Sequence, residues 1–271
     1  MFLPRSSRAA ALVVGAEGDV RRVDRQVPEE VPVSLVYSTV PFAVMMLTPG
    51  DLEDFAHGFS LTEGIVRDAS GIREVSVAAE ERGLRIDIRL APSDLTAHLS
   101  RRRSIAGRTG CGVCGIEELD QMPRAARPVA PAPEIDVAAI RRALAALEGA
   151  QPLNDETRAV HAAAFAAADG TLVAVREDVG RHNALDKLVG AAMRGGIVAA
   201  EGFVVVTSRC SFELVEKAAA MGARTLVAIS APTAFALERA RALDMNLVAV
   251  ARRDTVAVFH GMDRVREAAR A

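Results

Sequence analysis

Phe203-Val204-Val205-Val206-Thr207, Thr225-Leu226-Val227-Ala228-Ile229-Ser230 and Leu247-Val248-Ala249-Val250-Ala251 decide the fold of this chain. Each run is short, apolar and rich in β-branched residues, the pattern of strands buried on both faces of a sheet. Residues 211–221 and 233–243 lie between them and read as helices, so the order is β-α-β-α-β. That order implies adjacent parallel strands joined by right-handed crossovers. In an open sheet of this kind, ligands bind just beyond the carboxyl ends of the strands. Here those ends read Thr207-Ser208-Arg209-Cys210-Ser211, Ser230-Ala231-Pro232-Thr233 and Arg252-Arg253-Asp254-Thr255. Helix amino termini at Ser211 and Thr233 supply free N–H groups suited to phosphate oxygens. Arg209 and Arg252 add planar forks for the same oxygens. An anion or nucleotide pocket is the expectation; the competing reading is that strand ends in any α/β domain are polar and capped.

Working back towards the amino terminus, Glu177-Asp178-Val179-Gly180-Arg181-His182-Asn183-Ala184-Leu185-Asp186-Lys187 is a dense polar cluster at the start of a helix. Asp178, His182 and Asp186 lie four apart, which predicts one shared helical side. Two readings stay open here: Asp178 capping a solvated face, or a polar wall that orients a ligand. Residues 160–168 and 171–176 flank Asp169-Gly170, a strong hairpin signal. Residues 134–149 form an amphipathic helix, with Val137, Ile140, Leu144 and Leu147 at helical spacing and Gly149 as its stop. A Pro/Ala/Arg-rich linker over 123–133 precedes it. The chain therefore divides into an α+β part (1–122), the linker (123–133) and an α/β part (134–271).

In the first part, residues 31–47 read as strands with a turn. Thr48-Pro49-Gly50-Asp51 starts a helix that ends near Glu63-Gly64, with Leu52, Phe55 and Phe59 on one face. Residues 74–79 and 84–90 make a hairpin, residues 92–100 a short helix at best, and the apolar stretch near the amino terminus a first strand rather than a signal peptide.

The net charge of −2 lacks the basic field of a nucleic-acid binder, and with no Trp and one Tyr base-stacking platforms are not expected. No apolar run approaches the roughly 18–20 residues that span a bilayer. Three cysteines without a pairing scheme fit a reducing cytoplasm.

Two of those cysteines sit in Gly110-Cys111-Gly112-Val113-Cys114-Gly115. Glycines on both sides and between them give the backbone freedom and the sulfurs little cover. Zinc wants four ligands, and Cys111, Cys114 and Cys210 with His161 or His182 supply them only by long-range convergence. The zinc-deaminase spacing is absent, and an iron–sulfur cluster lacks its fourth cysteine. Gly115 inside the first turn argues against a thioredoxin-type helix. A thiolate on a swinging arm, helped by Arg101, Arg102, Arg103 and Arg108, suits sulfur carriage. On chemical grounds either cysteine can be the carrier, and no metal is expected.

The chain resembles the formate dehydrogenase accessory sulfurtransferases (FdhD). Thr48-Pro49-Gly50-Asp51-Leu52 with Glu63-Gly64-Ile65, the cysteine loop, Glu177 through Lys187, the Thr207–Glu213 block with Lys217, and Ala231-Pro232-Thr233 with the Arg252 region all carry the likeness, in order. It implies a cytoplasmic homodimer with a cytidine deaminase-like three-layer domain. The expected activity takes persulfide sulfur from a cysteine desulfurase. The sulfur then passes to the molybdenum or tungsten bis-molybdopterin guanine dinucleotide cofactor of formate dehydrogenase. By the same likeness the persulfide falls on Cys111, with Cys114 as partner thiol. The cofactor-binding segment falls on Val250, Ala251, Arg252, Arg253, Asp254 and Thr255. Arg209 and Ser211 join it, and His182 and Asn183 shape the pocket. The alternative is a non-catalytic chaperone for that cofactor. The chain departs from the family pattern at Arg158, Ala159, Ser208, Val250 and Arg253.

Overall fold

A computed structural model describes residues 3–96, 132–252 and 254–267. Cys111, Cys114, most of the expected linker and Arg253 lie outside the described residues. The amino-terminal strands β1 (Ser6–Val14) and β2 (Val20–Pro28) form an antiparallel hairpin of their own. Next come β3 (Val31–Tyr37), β4 (Val40–Leu47), helix α1 (Leu52–Thr62), β5 (Ile72–Glu80) and β6 (Gly83–Leu90). The four strands make a sheet of order β4-β3-β6-β5, in which β3 and β6 run parallel. Inward residues such as Leu35, Tyr37, Ile86 and Ile88 pack under Phe55 and Phe59 of α1. The expected helix stripe thus faces the core.

Beyond the undescribed segment come β7 (Ile135–Asp136), α2 (Val137–Glu148), α3 (Pro152–Thr157), β8 (His161–Ala167), β9 (Leu172–Asp178) and α4 (Arg181–Gly195). They lead into β10 (Gly202–Val206), α5 (Phe212–Ala220), β11 (Thr225–Ala228), α6 (Ala234–Ala242), β12 (Asn246–Ala249), β13 (Ala257–His260) and β14 (Val265–Arg266). A six-stranded sheet runs β13-β12-β11-β10-β8-β9, and β7 pairs with β14. Strands β10, β11 and β12 are adjacent and parallel, as the sequence predicts. Strand β8 extends the sheet antiparallel on one side and β13 on the other.

Alternation along the strands builds two cores. Val204, Val206, Leu226, Ala228 and Leu247 face α4, α5 and α6, while Phe203, Val205, Val227 and Val248 face α2. Three layers result, with apolar residues on both faces of β10–β12, which is why those runs carry no polar alternation. Val137, Ile140, Leu144 and Leu147 of α2 are all buried against the sheet.

Helix α1 crosses α4 where Gly58 meets Gly190. A Cβ on Gly58 would lie 1.7 Å from the Asp186 carbonyl oxygen, and one on Gly190 1.8 Å from that of Asp54. The absence of side chains lets the two backbones touch and locks the four-stranded sheet to the six-stranded one.

Candidate functional site

Antiparallel pairing brings five segments to one end of the large sheet. The carboxyl ends of β10, β11 and β12 point there together. His161 opens β8 at the same end, opposite Asp178, the last residue of β9. The strand-end loops are laced by backbone bonds: Cys210 N–H donates to the Ala231 carbonyl (3.2 Å), Thr233 N–H to the Cys210 carbonyl (2.9 Å) and Val250 N–H to the Ser230 carbonyl (3.2 Å).

Along this edge several buried polar atoms lack a close hydrogen bond. The buried Nε of Arg181, Nε2 of His182 and Oγ of Ser211 make no hydrogen bond. Ser211 stands at the N-cap of α5 without capping it. The Nε2 of His182 lies 3.9 Å from Oε2 of Glu213, an ionic distance rather than a hydrogen bond. That imidazole chiefly, with the Ser211 hydroxyl adding, holds the Glu213 carboxyl down at about 2 against the opposing effect of burial. Burial, then the charges of Arg181 and Arg209, lower the pKa of His161. Buried polar atoms without a close hydrogen bond thus stand at this edge with the guanidinium groups of Arg181 and Arg209, both of which act on His161. Arg209 itself is exposed.

On the α2 side of the edge an open cavity of about 360 Å³ is lined by Leu144, Leu147, Gln151, Ile229, Ala251 and Arg252, with Glu148 and Asp254. The exposed Arg252 donates from Nη1 to the carbonyls of Ala251 and Ile229, and its N–H to the Thr255 carbonyl (2.6 Å) closes a tight loop. Val250 sits at φ 51°, a left-handed conformation that costs a β-branched residue of the order of 1–3 kcal/mol and gathers at ligand sites. Of the expected residues, His182, Arg209, Ser211, Val250, Ala251, Arg252, Asp254 and Thr255 share this end of the sheet. Asn183 does not present its amide to it: Nδ2 donates inward to the Met46 carbonyl (2.9 Å) and to Asp178 (3.0 Å).

The polar cluster around Asp178 corrects two expectations. Helix α4 begins only at Arg181, with Gly180 at its N-cap, so Asp178 is not on the helical side of His182 and Asp186. Nor is the face solvated, since Asp178, Asp186 and Lys187 are buried. Asp178 accepts from the N–H groups of Thr48 (3.0 Å) and Gly180 (2.8 Å) and pairs with Lys187 at 2.7 Å. Lys187 also donates to the Thr48 carbonyl (2.9 Å), and burial pulls its pKa down despite Asp178. Glu177 accepts from the N–H groups of Leu153 and Asn154 and so serves the start of α3. Asp186 accepts from Thr62 (2.7 Å) and from Lys217 (2.9 Å), which reaches Glu63 at 3.4 Å. Burial alone would lower Lys217, but Asp186 and Glu63 outweigh it and its pKa is raised. Three of the blocks conspicuous in the sequence thus meet in two buried clusters, Asp178 with Lys187 and Thr48, and Asp186 with Lys217 and Thr62, the second of which joins α1, α4 and α5.

Cys210 is fully buried, and burial pushes its thiol up to about 12, which makes it inert. Among the described residues no three His, Cys, Asp or Glu side chains gather as metal ligands, and no helix is long and apolar enough to cross a membrane.

Comparison with known proteins agrees with this architecture. The chain matches the family described as FdhD/NarQ over residues 28–266. It is 47% identical over 243 residues to the sulfur carrier protein FdhD of Xanthomonas euvesicatoria pv. vesicatoria, covering 90% of this chain and 86% of that one. The protein of the same name from Bordetella petrii is 43% identical over 273 residues, 98% of each chain. Among solved structures, a Desulfotalea psychrophila protein described as a candidate formate dehydrogenase accessory protein superposes with a TM-score of 0.75. Its sequence is 25% identical, and the match covers 97% of this chain and all of that one. Motif blocks, sheet order and relatives along nearly the whole length converge on one assignment: the chain belongs to the FdhD/NarQ family.

Proposed function

We propose that this chain is a sulfur carrier in the service of formate dehydrogenase. A loop cysteine, Cys111 with Cys114 as its partner, takes sulfur from a cysteine desulfurase and delivers it to bis-molybdopterin guanine dinucleotide carrying molybdenum or tungsten. The cofactor is cargo, held at the edge where β10, β11 and β12 end. Residues 134–271 hold the cargo and the loop closing residues 1–122 brings the sulfur, in a cytoplasmic homodimer. The observation that carries the reading is the set of buried polar atoms at that edge that make no close hydrogen bond. Arg181 Nε, His182 Nε2 and Ser211 Oγ are buried and make no close hydrogen bond, the last two facing only the Glu213 carboxylate, and Arg209 of the same edge is exposed. Buried donors left unsatisfied cost about 1–3 kcal/mol each, a cost that an anionic ligand removes. The names of the relatives support the sulfur chemistry.

In the loading step the carrier thiolate attacks the terminal sulfur of the donor's cysteine persulfide. The new S–S bond forms on the carrier, the donor's S–S bond breaks, and the donor leaves as a thiolate. The second loop thiol can then displace the terminal sulfur as sulfide. That leaves a Cys111–Cys114 disulfide, which a dithiol reductant reopens. Cys210 takes no part, because a buried thiol of raised pKa supplies no thiolate.

The test is restoration of formate dehydrogenase activity in a bacterial host that lacks its own counterpart of this protein. Wild type is expected to restore activity, and a Cys111→Ala/Cys114→Ala double variant is expected not to. Full restoration by the double variant would overturn sulfur carriage and leave a cofactor chaperone.

A further inference from the structure

The loops that carry Arg209 and Ser211 also lead into an aromatic pair. Phe212 opens α5 and Phe235 is the second residue of α6. Their rings stack nearly parallel, with centroids 4.4 Å apart and planes 10° from each other. Phe212 is buried, but Phe235 stays 50% exposed. Every other described phenylalanine is buried or half-buried. A single exposed apolar side chain is ordinary and by itself says nothing. This one differs in two respects: its ring is held flat by a second ring beneath it, and its place is fixed. The bonds between Cys210 and Ala231 and between Thr233 and Cys210 tie the two loops together immediately before the two rings. Thr233 caps α6 by accepting from the Ala236 N–H at 3.1 Å, so Phe235 stands on a rigid first turn.

We infer that Phe235 is a stacking residue that receives a planar heterocycle of the ligand whose phosphates Arg209 and Ser211 hold. The inference rests on the cargo site proposed above and assigns the flat part of the cargo to a named residue. An aromatic face presents π-surface without hydrogen-bond readout, so it recognises a ring by shape and leaves the charge to the donors beside it. The ligand class is therefore a phosphorylated planar heterocycle, a purine nucleotide end being the form that can be tested directly. The scarcity of aromatics argues against binding a nucleic-acid strand, but one flat ring needs only one platform.

The chain has no tryptophan, so Phe235→Trp places a single tryptophan, excited apart from Tyr37, at the site. In the full-length protein its fluorescence is expected to be quenched by guanosine diphosphate and not by inorganic pyrophosphate. By calorimetry, Phe235→Leu, which still covers Phe212, is expected to weaken guanosine diphosphate roughly tenfold, the scale of one stacked base. Its affinity for pyrophosphate should not change. If Phe235→Leu binds guanosine diphosphate as wild type does while Arg209→Ala loses it, stacking at Phe235 is wrong and the phosphate site stands. If wild type binds neither ligand, the cargo site falls and the stacking role falls with it.

Discussion

Lys217 belongs to α5, yet its ammonium lies between Asp186 of α4 and Thr62 and Glu63 at the end of α1. All of these carboxylates are nearly excluded from water, with Asp186 2% and Glu63 6% exposed. Breaking such a pair leaves one charge buried and alone, whereas removing both charges is far milder. Lys217→Met is therefore expected to lower stability by about 3–5 kcal/mol in chemical denaturation. Adding Asp186→Leu should recover much of that loss. If the double variant is as unstable as the sum of its parts, the two side chains do not act as a pair. The residue scale also explains why this cluster misleads a reader of the sequence. Six ionisable side chains within eleven positions look like a ligand site or a wet surface. In the fold Asp178 and Lys187 are turned to Thr48, and Asp186 to Thr62 and Lys217, partners more than thirty positions away or more that no local pattern announces.

Among elements, the closest approach is α1 on α4. Gly58→Ala would put a methyl 1.7 Å from the Asp186 carbonyl oxygen, so the helices must separate. Overpacking of this kind costs typically about 1–3 kcal/mol and here acts against backbone, which cannot swing aside. The expected outcome is a lower thermal midpoint; a midpoint equal to wild type would mean that the helices are not in backbone contact. The parallel trio was legible because each strand is a continuous apolar run and each helix starts at a Ser or Thr. Strand β2 was not, because Val20, Val23 and Val27 recur at helical rather than alternating spacing. The antiparallel neighbours β8 and β13 were equally hidden as neighbours of the trio. Hairpin chemistry predicts that β8 pairs with β9, but nothing local says that β8 also pairs with β10.

At the scale of the whole molecule, the large sheet works as a bracket. Its layers hold five chain segments at one end, and the amino-terminal sheet is fixed to it through α1. The meeting of strand ends, helix starts and arginines at one edge was readable from topology, because parallel strands place their carboxyl ends together. Its unbonded polar atoms were not readable, because whether Ser211 Oγ or His182 Nε2 comes within hydrogen-bonding distance of another group depends on packing. The account joins this edge to a sulfur carried on Cys111 or Cys114, and that is its central claim. Intact-mass measurement after incubation with a cysteine desulfurase and cysteine tests it most directly. Wild type is expected to gain the mass of one sulfur atom, reversible by dithiothreitol, and one of Cys111→Ala and Cys114→Ala is expected to gain none. Equal sulfur uptake by both single variants and by wild type would contradict the account.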